Sequence, residues 1–155
     1  METSPTTNKK INKTPKLKLN FKESKYATGR RKTSIAKVWL KKGSGKIYVN
    51  GKDFQNYFSS ESHKMQIMRP FEIIAQSTEF DVKSSVCGGG HTGQAGALVH
   101  GISKALLQFD SEFKSILKKE KLTTRDSRAV ERKKPGKKKA RRRRSESHRR
   151  AQSCT

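Results

Sequence analysis

Cysteine, acid and long apolar runs are what this chain has least of. Cys87 and Cys154 are its only cysteines. They make no CxxC pair, which excludes a zinc ribbon and a disulfide framework and points to a reducing compartment. No apolar stretch approaches the length that spans a membrane, and no secretory apolar core is present, so no membrane partner is expected. No Arg precedes Arg30 and Glu2 stands near the start, unlike a mitochondrial presequence. Hydrophobic residues make up only 30% of the chain, most of them between Tyr26 and Leu122. A core of that size is modest, and the domain leans on its partner for stability.

Base is abundant instead. Against 13 Asp and Glu stand 37 Lys and Arg in 155 residues, a net charge of +24. The ends carry more than their share: residues 1–25 hold +5, residues 26–131 hold +8, and the stretch from Arg132 to Arg150 holds +11. That last stretch reads RKKPGKKKARRRRSESHRR, with Glu146 as its one acid and Pro135 and Ala140 as its apolar residues. It cannot bury enough surface to offset the entropy of ordering. It stays extended until it meets dense negative charge, and nucleic acid fits best because each phosphate accepts Arg or Lys. Arg132, Lys133, Lys134, Lys137, Lys138, Lys139, Arg141, Arg142, Arg143 and Arg144 are its candidate phosphate ligands. The division expected is a flexible basic arm over 1–25, a globular body over 26–122 and an extended basic tail over 123–155.

Within the body, Gly29-Arg30-Arg31-Lys32 reads as a basic turn and Thr33 to Leu40 as a strand. Lys46 to Val49 reads as its return strand, and Asn50-Gly51 suits positive φ. Asp53 can cap a short helix holding Phe54, Tyr57 and Phe58. A second helix runs from Ser62 to about Met68, with Met65 and Met68 on one side, and Pro70 interrupts it. Glu79 to Cys87 is the clearest strand, with Phe80, Val82 and Val86 on one face. A glycine-rich loop follows, then a helix to Phe109 with Leu98, Ile102, Ala105, Leu106 and Phe109 on one stripe. Asp110 caps a last helix, with Glu112 in its first turn, Phe113, Ile116 and Leu117 facing the core, and Lys118 and Lys119 at its end. The order β-β-α-β-α-α gives an α+β fold with helices packed on a sheet.

The loop Gly88-Gly89-Gly90-His91-Thr92-Gly93-Gln94-Ala95-Gly96 contains Gly-x-Gly-x-x-Gly after a strand and before a helix, the literal dinucleotide fingerprint. No further strand-helix units follow to build a nucleotide crevice, and Asp110 and Glu112 stand where a second strand should end. An RNA phosphate at the same helix start uses the same physics and suits the charge. Gly88, Gly89, Gly90, Thr92, Gly93 and Gln94 are therefore candidate RNA ligands, with Arg30, Arg31, Lys32, Lys104, Arg125 and Arg128. Asp126 is expected to orient its neighbouring guanidiniums through an ion pair. Cys87, His91 and His100 make a weak metal set, and no nucleophile has an evident base. No enzyme, cofactor or metal is expected. A general nucleic-acid-condensing protein would need only the charge and would not explain the glycine loop.

Five stretches then coincide with one family: YATGRRKTSIAKV at 26–38, GKIYVNG at 45–51, GGGHTGQAGAL at 88–98, HGISKAL at 100–106 and TRDSRAVERKKPG at 124–136. The chain resembles the family of the ninth protein of the small ribosomal subunit, in its bacterial and organellar form. The resemblance implies a four-stranded mixed sheet with packed helices (β-β-α-β-α), a left-handed βαβ crossover and an extended basic C-terminal tail. It implies binding to small-subunit ribosomal RNA in the subunit head, beside other small-subunit proteins, in the ribosome of a bacterial cytoplasm or of a mitochondrion. It implies further that the tail reaches the peptidyl-site tRNA. The family's closing Ser-Lys-Arg aligns here with Ser147-His148-Arg149, and six residues follow from Arg150. His148, Arg149 and Arg150 are the residues that the resemblance brings to tRNA.

Overall fold

The computed structural model describes residues 23–75 and 79–141. Small and branched residues alternating with charged ones build the first two strands. β1 (Lys25–Arg31) and β2 (Ser34–Lys42) form an antiparallel hairpin with Arg31 opposite Ser34. Lys32, at φ 52°, makes the reversal. The basic turn expected over Gly29–Lys32 is therefore mostly strand. Gly29 and Arg30 pair with Ala36 and Ile35, because ladder bonds satisfy their backbone better than a long turn would.

β3 (Ile47–Val49) and β4 (Lys52–Asp53) form a second small hairpin. Asn50 and Gly51 close it at φ 51° and 80°, the pair of left-handed residues that a two-residue loop needs. β5 (Phe80–Cys87) lies antiparallel to β2 and parallel to β3, giving the order β1-β2-β5-β3-β4. The sheet is mixed, as expected, but has five strands rather than four. Nor is β3 the return partner of β2, because β5 lies between them. Asp81 of β5 holds the connection in place. Its Oδ1 accepts the backbone N–H groups of Ser44 and Lys46, both at 2.9 Å, and Gly43 N–H donates to the Glu79 carbonyl at 2.8 Å. The 43–46 segment is thereby pinned across the start of β5.

Four helices complete the described residues: α1 (Phe54–Tyr57), α2 (Glu61–Ile74), α3 (His91–Leu106) and α4 (Phe113–Lys119). Asp53 precedes α1 at its N-cap position but makes no side-chain capping bond. α2 runs through Pro70 instead of stopping before it. Ile67, Pro70 and Phe71 share one buried stripe, and their burial offsets the roughly 3 kcal/mol that an interior proline costs. Met68 packs at the edge of that core, whereas Met65 is exposed. The N-cap of α4 is Glu112 rather than Asp110, and Ile116 points to solvent while Leu117 is buried.

α3 packs over β1 and β2, α2 packs against α3, and α4 against α2. One sheet face is thus covered. Ala36, Val38, Leu40, Val82 and Val86 meet Leu98, Ile102 and Leu106 there. The crossing is very close at Gly29, where a Cβ would stand 1.9 Å from the Ala97 carbonyl oxygen and 2.4 Å from the Gly101 nitrogen.

Candidate nucleic-acid interface

Three segments far apart in the chain converge at the end of β1. The first is the Arg30–Lys32 stretch. The second is the glycine loop, which sits on the β1–β2 turn. Ser34 Oγ donates to the Gly88 carbonyl at 3.1 Å, and a Cβ on Gly89 or Gly93 would fall 2.2 or 2.7 Å from that Oγ. Gly88 and Gly89 also lie at φ 73° and 61°. Packing against the turn and backbone conformation therefore account for these three glycines. Gly90 differs, since a Cβ there would meet nothing within 4 Å. Gln94 is a strut: its Nε2 donates to the Gly88 carbonyl at 3.2 Å, and its Oε1 accepts the Tyr57 hydroxyl at 2.9 Å. The first amides of a helix have no intrahelical acceptor, and no side chain caps those of α3. Exposed Gly90, His91 and Thr92 surround that positive end.

The third segment is the root of the tail. Leu122 packs on the core, and the chain then crosses the edge of β1. Arg31 lies flat over α3, where a Cβ on Gly96 would touch its Cδ at 2.3 Å. Its Nε stands 3.7 Å from Asp126 Oδ2. Asp126 in turn receives Arg128 in a fork, Nε at 3.0 Å and Nη2 at 2.9 Å, and accepts the Arg128 backbone N–H at 3.0 Å. Those bonds hold the Asp126 carboxyl down to about 2. The ion pair expected of Asp126 is thus present, and it joins Arg128 to Arg31 across 97 positions of sequence.

His100 is the second tie, whereas the sequence offers it only as a weak metal ligand beside Cys87 and His91. Its Nδ1 accepts the Arg30 backbone N–H at 3.2 Å, and a backbone hydrogen bond links the ring to Thr123. Burial chiefly, then the charges of Lys104 and Arg125, push its pKa below the ordinary histidine value. The neutral ring therefore pins the tail root to the strand edge. Lys104 is exposed one turn further along α3, and Arg125 is exposed beside it.

Beyond Arg128 the described tail has no helix or strand. Arg132, Lys133, Lys134, Lys138 and Lys139 are exposed and Lys137 is half-buried. Gly136, at φ 72°, makes a turn there, and Arg141 folds back to pair with Glu131. Arg142, Arg143, Arg144, His148, Arg149 and Arg150 lie outside the described residues. Among the described residues, no three His, Cys, Asp or Glu side chains gather as metal ligands. His91 stands edge-on to Tyr57 at 5.8 Å, and Cys87 is a free, exposed thiol. The glycine loop leads into α3 and α4 without a following strand, so the nucleotide crevice that a dinucleotide needs is not formed by the described residues.

The family model for ribosomal protein S9/S16 matches residues 29–149. The chain belongs to this family. A curated relative, the small ribosomal subunit protein uS9 of Rickettsia felis, is 51% identical over 133 residues, covering 86% of this chain and 83% of that protein. As a family member the chain is a structural constituent of the small ribosomal subunit, of the bacterial type, and its place is the ribosome. The matched span begins at Gly29, where β1 meets α3, and takes in all three converging segments.

The bases and the Asp126 ion pair are legible in the sequence, but the ties made by His100 and Arg31 are not. Along the sequence His100 is one of four histidines, and Arg31 is one base of a run. The usable signal was periodicity: Gly96 and His100 stand one turn apart on α3, on the side that a tail could cross.

Proposed function

We propose that the end of β1, the start of α3 and the tail root form one continuous surface for ribosomal RNA in the head of the small subunit. The observation that carries this reading is the Arg31–Asp126–Arg128 ion-pair chain. It holds bases from both ends of the body in fixed geometry, and so lowers the ordering entropy that a flexible run must lose on binding. Arg30, Lys32, Lys104 and Arg125 surround it, and the amides of α3 offer phosphate donors beside Gly90 and Thr92. The body over 26–122 takes the folded contacts, and the tail over 123–155 runs out along the RNA. The chain acts by neutralising and positioning RNA, not by catalysis. It works beside other small-subunit proteins in the cytoplasmic ribosome of a bacterium, as the 51% identity to the Rickettsia felis protein favours.

The tail also approaches peptidyl-site tRNA. From Leu122 to Arg149 an extended chain spans at most about 90–100 Å. That length allows a tail rooted beside His100 to cross a subunit head, with His148, Arg149 and Arg150 at its far end. Salt dependence tests the RNA surface. Neutralising on the order of eight phosphates gives log affinity against log salt a slope near −6 to −7. A filter-binding slope shallower than about −2 overturns the reading.

A further inference from the structure

The sheet has a second face that the helices leave open. Strand alternation puts Tyr26, Thr28 and Arg30 of β1 on it. Ile35, Lys37, Trp39 and Lys41 of β2 join them, with Asp81, Lys83 and Ser85 of β5 and Tyr48 of β3. One row runs straight across: Tyr26 pairs with Trp39, Trp39 with Lys83, and Lys83 with Tyr48. Tyr26 is 43% exposed and its ring lies 5.4 Å from that of Trp39. Between Trp39 and Tyr48 the surface sinks into a recess of about 320 Å³, floored by Lys83 and bordered by Asn50, Gly51 and Ser85.

We propose that this recess holds an unpaired RNA nucleotide, its base against Trp39 and Tyr48 and its phosphates on Lys83 and Lys37. The proposal rests on the RNA-binding reading above and extends it to a sheet face that the reading meets only at Arg30. Trp39 and Tyr48 stand two strand spacings apart, about 9–10 Å, which admits one planar base and excludes a stacked duplex. The volume falls in the range of small-ligand sites. Aromatic rings on a sheet, interleaved with bases, are the arrangement that stacks single-stranded nucleotides. Charge favours RNA over a protein partner. Arg30, Lys37, Lys41 and Lys83 face Asp81, Asp53 at the edge beyond Tyr48, and Glu23, which pairs with Lys41 at 3.0 Å. Four bases against three acids leave the face basic on balance, and the Ser44 and Lys46 amides already occupy the Asp81 carboxylate. The Asn50 amide is likewise taken, by the Val86 backbone at 3.0 and 2.8 Å, which leaves exposed Ser85 to meet a base edge.

Trp39 is the only tryptophan in the chain, so its emission reports on this site alone. The full chain is titrated with short single-stranded oligoadenylate and with an RNA hairpin duplex of equal phosphate number, at raised salt. The single strand is expected to quench Trp39 saturably and the duplex not. Tyr48→Ser is expected to weaken single-strand binding about tenfold and duplex binding by less than about twofold, with Tyr48→Phe restoring it. Lys83→Gln serves as the second variant should Tyr48→Ser fail to fold. If both RNAs bind with steep salt dependence, yet Trp39 is silent and neither variant discriminates, the nucleotide site is refuted while the RNA-binding surface stands. If neither RNA binds, the broader reading fails with it. If Tyr48→Ser leaves RNA binding intact but releases the chain from other small-subunit proteins, the face is a protein-docking surface and the proposal is overturned.

Discussion

Replacing Gly29 by alanine should disrupt the fold more than any other single methyl added to β1. The new Cβ would lie 1.9 Å from the Ala97 oxygen, 2.4 Å from the Gly101 nitrogen and 2.9 Å from the Gly101 Cα. All three are backbone atoms, so no rotamer change relieves the clash. Strand and helix must separate by more than about 1 Å in an interior that packs like a crystal. That gap opens the contact of α3 with Ala27, Ala36 and Val38, all buried. Overpacking costs about 1–3 kcal/mol, and with backbone on both sides the upper end applies, about 3 kcal/mol. For a domain of this size that lowers Tm by roughly 12–24 °C. Urea unfolding followed by Trp39 fluorescence measures it directly. Gly90→Ala is the control, because its Cβ meets nothing within 4 Å and its φ is −108°. It loses only a helix-cap preference, about 1 kcal/mol. A Gly29→Ala midpoint no lower than that of Gly90→Ala would refute the close-crossing argument.

Stability should fall as pH drops below about 6.5, because the unfolded chain binds a proton at His100 before the folded chain does. Urea midpoints between about pH 7.5 and about pH 5 check this, and His100→Gln should flatten the curve. Asp126 has a depressed acid pKa, so its contribution is present above the ordinary carboxyl value and lost only as pH falls towards about 2. Its carboxyl carbon should titrate near that value by NMR, and Arg128→Gln should move the midpoint up towards about 3.9. Deleting residues 145–155 should leave subunit assembly nearly intact yet weaken peptidyl-site tRNA about tenfold on purified subunits, less so at high salt. Unchanged tRNA affinity would end the decoding-site role for His148, Arg149 and Arg150.

What the sequence determined by itself was what depends on composition and on neighbours along the chain. The excess of base named the partner. The two-residue period of Phe80, Val82 and Val86 marked β5 and its buried face, and Asn50-Gly51 marked a left-handed turn. Each of these is a local rule, and each held. The sheet order was not local. Nothing between Leu40 and Lys46 says that β5 will separate β2 from β3, because the Asp81 carboxylate that pins the connection comes from far along the chain. Pro70 reads as a helix end until Ile67 and Phe71 are seen buried beside it, since long-range packing outweighs a local penalty. The glycine loop reads as a phosphate cradle, yet Gly89 and Gly93 are glycines because Ser34 lies under them. His100 joins Arg30 to Thr123 only once α3 has crossed β1. Local chemistry is written residue by residue, whereas the ties that make a surface from scattered bases are contacts between distant segments, and these exist only in the folded chain.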